Sequence, residues 1–150
     1  MNPPMNFPSV PIEEVPLPLS GLEGTNYRPL VLVVDHEQAA ADALAETLAE
    51  HGFAAVTAYD GPEAIETALI MPPDLLIANS HLPGITGLEL ASALKDAIPD
   101  CKTIVLSAPA SSPQSAEAAR RGKHRLVLLD KSVRAADLIA QVEETLKLPD

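Results

Sequence analysis

The sequence predicts one α/β domain in which a parallel, five-stranded sheet carries helices on both faces. From residue 30 onward, short apolar runs alternate with amphipathic or alanine-rich segments, five of each. The chain has 150 residues, which suits one domain with a sizeable core. Hydrophobic residues make up 47% of the chain and charged residues 21%, close to the values of ordinary globular domains. A packed core is therefore expected.

The predicted strands are apolar runs of about five residues, and three of them are apolar almost throughout. Such runs are typical of strands buried on both faces of a parallel sheet. The segments between them place leucines at helical spacing, as in Leu44 and Leu48, which favours helices with one buried face. Short connections then favour a doubly wound sheet. The predicted strands are 30–34, 54–58, 75–78, 103–106 and 126–129, and the predicted helices are 39–50, 62–71, 88–97, 113–120 and 135–146.

Local sequence signals support two of the predicted helix ends. Asp60 precedes Gly61 and Pro62, a pattern that predicts an N-cap with proline in the first turn. Gly52 follows His51 and suits a left-handed residue after the end of the first helix.

Residues 1–29 are predicted to form a flexible tail, and residues 30–148 the folded domain. The tail holds seven of the fifteen prolines, and proline fixes φ and removes an amide donor. Two alternatives are a docking segment for a partner with an aromatic groove, or apolar tail residues that lie along the domain. Those apolar residues are Val10, Ile12, Val15, Leu17 and Leu19. We expect no output domain after residue 148.

Composition argues against several classes of function. The net charge of −11 disfavours binding to nucleic acid or to anionic membrane surfaces. The apolar runs are far shorter than the roughly 20 residues of a membrane-spanning helix, and no secretory pattern is visible. Cys101 is the only cysteine, so no internal disulfide is available. We expect a cytoplasmic protein.

Polar residues follow the predicted strands where the carboxyl ends of a parallel sheet converge. Asp35 follows the first strand, Asn79 the third, Ser107 the fourth and Lys131 the fifth. A strand order of 2-1-3-4-5 would bring these four side chains to one crevice. Without another partner for its ammonium group, Lys131 is expected to pair with Asp35.

Residues 30–148 resemble the receiver domains of two-component response regulators, the CheY-like family. The matching segments are VLVVDHE at 31–37, PDLLIANSHLPGITGLEL at 73–90, IVLSA at 104–108 and LLDK at 128–131. The resemblance implies a CheY-like, flavodoxin-like (βα)5 fold. It also implies a site in which an aspartate accepts a phosphoryl group from a kinase while neighbouring acids hold Mg²⁺. Ser107 and Lys131 match the positions that contact the phosphoryl oxygens.

The chain departs from that family pattern at the positions that carry the chemistry. Asn79 stands at the phosphoacceptor position, and an amide is not a carboxylate nucleophile. His36 replaces the second acid after the first strand, and His81 stands where the family supplies a backbone carbonyl to the metal. With Asp35 as the remaining carboxylate, we expect weak or absent Mg²⁺ binding and no other cofactor. Leu128 occupies a switch position that is usually aromatic.

These departures predict a pseudo-receiver that is not an enzyme and acts by protein–protein contact without phosphorylation. The expected partner is a histidine kinase, a response regulator or an effector, and a homodimer stays open. One alternative is an active relay receiver that uses His36, His81 or Ser107 as its acceptor. A second alternative is a metal-binding module of Asp35, His36 and His81.

Charge is unevenly distributed along the chain. Residues 1–100 carry 15 acids and 2 bases, a net charge of −13, whereas residues 101–150 carry 6 acids and 8 bases, a net charge of +2. The basic residues form either a solvated patch or an interaction surface for an acidic partner. The predicted patch consists of Arg120, Arg121, Lys123, Arg125 and Arg134.

Overall fold

A five-stranded parallel sheet forms the centre of the protein. The computed structural model describes residues 27–107 and 126–147. The sheet contains β1 (Leu30–Val34), β2 (Ala54–Ala58), β3 (Leu75–Asn79), β6 (Lys102–Ser107) and β7 (Val127–Asp130), in the order β2-β1-β3-β6-β7. This is the predicted 2-1-3-4-5 order, because β4 (His81–Leu82) and β5 (Ile85–Thr86) form a separate antiparallel hairpin.

Helices flank the sheet between the strands. They are α1 (Gln38–Glu50), α2 (Gly61–Ile70), α3 (Gly87–Ala97) and the last described helix, α4 (Ala135–Lys147). Each begins and ends within one or two residues of its prediction. The predicted helix at 113–120 lies outside the described residues. Within the described part of the chain, no helix is long and apolar enough to cross a membrane.

Alternate residues of the central strands pack into two separate hydrophobic cores, one on each face of the sheet. Leu32, Leu76 and Val105 face α2 and α3, whereas Val31, Leu75 and Ile104 face α1 and α4. All six side chains are buried. Burial on both faces explains why these strands are continuous apolar runs, and it fixes their register because a one-residue slip would exchange the two faces.

The predicted helix ends are confirmed, and one more cap appears. The Asp60 carboxylate accepts a hydrogen bond from the Glu63 N–H at 2.8 Å. Gly52 has a φ of 92°, the left-handed conformation that favours glycine. Thr86 and Glu89 form a capping box at the start of α3. The sequence signal for it, threonine three residues before glutamate, was present but not used in the prediction.

The described N-terminal residues contact the domain before β1 begins. The Tyr27 hydroxyl donates to Asp74 Oδ2 at 3.3 Å, and the Leu30 N–H donates to the same oxygen at 2.8 Å. The Pro29 carbonyl accepts from the Ala54 N–H at 2.9 Å. Residues 27–29 are thus attached to the end of the sheet where its strands begin, although they belong to the segment predicted as a tail.

The contact between Tyr27 and Asp74 predicts a shifted titration. Desolvation, followed by the charge of Asp74 and its hydrogen bond, raises the pKa of the Tyr27 phenol above the ordinary 10.0. A raised pKa favours the neutral phenol in the folded state, so its small stabilising contribution is complete below pH 10.0 and is lost as the pH rises through the folded-state pKa. In a Tyr59→Phe background, tyrosinate absorbance should show Tyr27 titrating with a midpoint above pH 10.0. Adding Asp74→Asn should lower the pH of that midpoint. A midpoint unchanged by Asp74→Asn would contradict this assignment.

Candidate functional site at the carboxyl edge of the sheet

The carboxyl ends of the strands bring the predicted polar residues together. Asp35, Asn79 and Ser107 are buried at the ends of β1, β3 and β6. Lys131 follows β7 directly, and its N–H donates to the Ser107 carbonyl at 2.8 Å. The parallel ladder places these residues side by side, since Ser107 is in register with the last residue of β7.

Asp35 is the centre of the site, and several positive or hydrogen-bearing groups surround its carboxylate. Oδ1 accepts from the Glu37 N–H at 3.0 Å and from Asn79 Nδ2 at 3.3 Å. His36 Nδ1 lies 3.6 Å from Oδ1, and Lys131 Nζ lies 3.9 Å from Oδ2. The predicted ion pair between Lys131 and Asp35 is confirmed. The buried negative charge is thereby balanced by side chains of the protein itself.

The Asn79 amide is oriented by contacts at both of its polar atoms. Nδ2 donates to Asp35, and Oδ1 accepts from the backbone N–H of His81 at 3.4 Å. Asn79 ends a strand in which every residue is buried. An amide can make both contacts at once, whereas a carboxylate at this position would have no hydrogen to donate to Asp35.

The turn after β7 positions Lys131. The Asp130 carboxylate accepts from the Ser132 N–H at 2.9 Å and from the Ser132 hydroxyl at 2.7 Å. The Val133 N–H donates to the Asp130 carbonyl at 3.0 Å. This turn and the hydrogen bond from the Lys131 N–H to the Ser107 carbonyl together hold the lysine backbone next to the end of β6. The prediction did not include Asp130 and Ser132 in this role.

The two histidines lie at the rim of the site and do not complete a metal cluster. His36 and His81 line a shallow cleft of about 210 Å³ together with Leu82 and Pro83. His81 Nδ1 lies 3.2 Å from the Ser80 hydroxyl. Among residues 27–107 and 126–147, no group of three or more His, Cys, Asp or Glu side chains is arranged to hold a metal ion. The alternative of a metal-binding module at Asp35, His36 and His81 is therefore not supported by the geometry.

The residues at the site also do not suit Mg²⁺, the ion implied by the family resemblance. Mg²⁺ requires several oxygen ligands in octahedral arrangement. Here an ammonium group lies 3.9 Å from one oxygen of the Asp35 carboxylate, and an amide N–H points at the other. The donor set and its charges thus disagree with a magnesium site.

The remaining predicted positions divide between the core and the undescribed segment. Leu128 is partly buried, pairs in register with Val105 and packs against the core on the α2 and α3 face. Arg134 is exposed and lies 3.6 Å from Asp137, one helical turn along. The rest of the predicted basic patch, Arg120, Arg121, Lys123 and Arg125, lies outside the described residues.

Comparison with known proteins identifies the class of this chain. Residues 31–143 match the family model described as the response regulator receiver domain. The chain belongs to the receiver family of two-component signalling. The predicted family and the predicted CheY-like fold are both confirmed.

The chain covers only part of the length of its relatives. The transcriptional regulatory protein PrrA of Mycobacterium tuberculosis is 30% identical over 119 residues, which are 79% of this chain and 50% of PrrA. The response regulator MprA of Mycobacterium ulcerans is 33% identical over 78 residues, which are 52% of this chain and 34% of MprA. The chain thus spans half or less of the length of these relatives.

Solved structures agree on the fold. A CheY-like receiver domain from Methanospirillum hungatei superposes with a TM-score of 0.74 at 21% identity, covering 80% of this chain and 94% of that one. The response regulator protein TrrA of Thermotoga maritima, solved in complex with Mg²⁺-BeF, has a TM-score of 0.67 at 31% identity. The aligned region covers 78% of this chain and 98% of the TrrA chain.

Proposed function

We propose that this chain is a pseudo-receiver, which acts in two-component signalling by contacts with other proteins and without phosphorylation at its receiver site. The observation that carries the proposal is the hydrogen bond from the Asn79 amide to Asp35 at 3.3 Å. The residue at the end of β3, where the family resemblance places the phosphoacceptor, has no carboxylate to attack phosphorus. Its amide is instead engaged with the neighbouring acid.

The charge balance of the site supports the same proposal. Phosphoryl transfer requires positive groups that neutralise charge developing in the transition state. Lys131 and the Glu37 N–H are both within reach of Asp35, so the donors of this site already have an anionic partner in the protein. We therefore propose that the chain is not an enzyme and that Mg²⁺ binds weakly or not at all.

The proposed partner is a protein of the same signalling class: a histidine kinase, another response regulator or an effector. The family assignment and the regulatory names of the relatives support this choice. We propose a cytoplasmic location, in agreement with a sequence that has a single cysteine, which is buried. A homodimer is the other form of contact that we consider.

Intact-mass measurement after incubation with acetyl phosphate and Mg²⁺ tests the proposal. The natural chain should keep its mass, because the nucleophile is missing. Asn79→Asp, which restores a carboxylate at the same position, serves as the matched control. A phosphoryl adduct on the natural chain would contradict the proposal and support an active relay receiver. An acid-stable adduct would then indicate Ser107, whereas an acid-labile one would indicate His36 or His81.

A further inference from the structure

The large apolar side chains most exposed in the described residues belong to two short segments. Leu69, Ile70 and Met71, at the end of α2, are 62%, 73% and 42% exposed, and Tyr27 is 62% exposed. Scattered exposed apolar residues are common on protein surfaces. Leu69, Ile70 and Met71 follow one another in the chain, and clusters of exposed apolar side chains mark places where another segment binds. We call Leu69, Ile70 and Met71 the α2-end patch.

The α2-end patch is linked through Asp74 to the point where the N-terminal segment enters the domain. Tyr27 contacts Asp74 through its hydroxyl at 3.3 Å. Asp74 follows Met71 by three residues, a path of at most roughly 10 Å. The chain that precedes Tyr27 is therefore tethered through Asp74 to the segment that follows the patch.

We propose that residues 15–22 of this chain dock on the α2-end patch and cover its apolar side chains. This segment has the sequence VPLPLSGL and contains Val15, Leu17, Leu19 and Leu22. Leu22 precedes Tyr27 by five residues, which gives the chain a reach of roughly 17 Å from the junction. A segment tethered this closely has a high effective concentration at the patch, so a few apolar contacts are enough to hold it.

The distribution of charge favours residues 15–22 as the docked stretch over the parts of the N-terminal segment on either side of it. The α2-end patch follows the acidic residues Glu63 and Glu66 on the same helix, and Asp74 lies beyond it. Residues 15–22 carry no charge, whereas Glu13, Glu14 and Glu23 stand directly outside this stretch. Docking of residues 15–22 places an uncharged apolar stretch on the patch and leaves Glu13, Glu14 and Glu23 outside the docked stretch.

Paramagnetic relaxation in the full-length chain tests the docking. A nitroxide on Ser20→Cys labels the segment at a polar position, and Cys101 is fully buried and so shielded from the reagent. The natural chain, treated in parallel, measures any labelling of Cys101. The readout is the relaxation enhancement of the Met71 ¹³C-methyl signal, compared between the oxidised and reduced label.

The matched control is Leu69→Ser with Ile70→Ser, which removes the apolar surface at exposed positions where folding does not depend on it. We expect a several-fold larger enhancement with the natural patch than with this double variant. Equal enhancement in the two chains would overturn the proposal, since it would reflect only the tether. A mixture of nitroxide-labelled chain and separately ¹³C-labelled chain should leave Met71 unaffected. Broadening in that mixture would assign the patch to a second copy and also overturn the proposal.

Discussion

Asn79→Asp should destabilise the protein in the absence of Mg²⁺ and should make it competent for phosphorylation in its presence. The substitution removes the Nδ2 donor that lies 3.3 Å from Asp35 and puts a second carboxylate beside a buried one. A lost buried donor and an unpaired buried charge are each costly, and Lys131 offsets part of the repulsion from 3.9 Å. We expect a loss of about 2 kcal/mol in the free energy of unfolding.

Denaturant unfolding with and without Mg²⁺ measures this effect. Mg²⁺ should leave the natural chain unchanged and should recover most of the stability of Asn79→Asp, because two adjacent carboxylates provide the oxygen ligands that the natural site lacks. The double variant Asp35→Asn with Asn79→Asp keeps one acid and one amide with their places exchanged. It should be more stable than Asn79→Asp alone. If it is equally unstable, repulsion between the two acids is not the cause.

Gly87→Ala should lower the free energy of unfolding by about 3 kcal/mol, which is the upper end of the usual range for overpacking. A Cβ at Gly87 would clash with the carbonyl oxygen of Asn79 and would lie 2.9 Å from its carbonyl carbon and from the Ser80 Cα. These are backbone atoms, which cannot rotate away as the end of a side chain can. The Gly87 N–H also donates to the Ser80 carbonyl at 2.9 Å, so the two segments are held together at this point.

Gly84→Ala, in the turn between β4 and β5, is the matched control. Gly84 has a φ of 81°, and a Cβ there would meet no atom within 4 Å. Its substitution should lower the free energy of unfolding by only about 1 kcal/mol, which is the strain of an alanine in the left-handed conformation. Chemical denaturation compares the two variants, and amide NMR signals of residues 79–81 should shift in Gly87→Ala but not in Gly84→Ala. Equal losses in both variants would contradict a special role for the contact at Gly87.

Apolar runs separated by amphipathic segments were enough to predict a doubly wound parallel sheet, and the order 2-1-3-4-5 then brought the residues of the site together. Strands buried on both faces must be apolar throughout, and the ends of parallel strands must converge, so Asp35, Asn79, Ser107 and Lys131 could be placed together before any coordinates were known. The pairing of Lys131 with Asp35 followed from this convergence and from their opposite charges. The family resemblance rested on the same residues and was confirmed by the match over residues 31–143.

Other features were not predicted from the sequence. The hairpin of β4 and β5 has only two residues in each strand, too few to show a hydrophobic period. The contact of Gly87 with the end of β3 and the bonds that attach residues 27–30 to Asp74 likewise arise only when the chain is folded.

The family, the sheet order and the identity of the groups at the carboxyl edge could all be predicted from the amino-acid sequence. Which atom of each group faces which partner became clear only in the folded chain. The Asn79 amide donates to Asp35 and accepts from His81, and His36 approaches Asp35 without forming a metal cluster with His81. The physical reason is that residue spacing determines which side chains reach an edge, whereas hydrogen bonds and packing around them determine how each one is oriented.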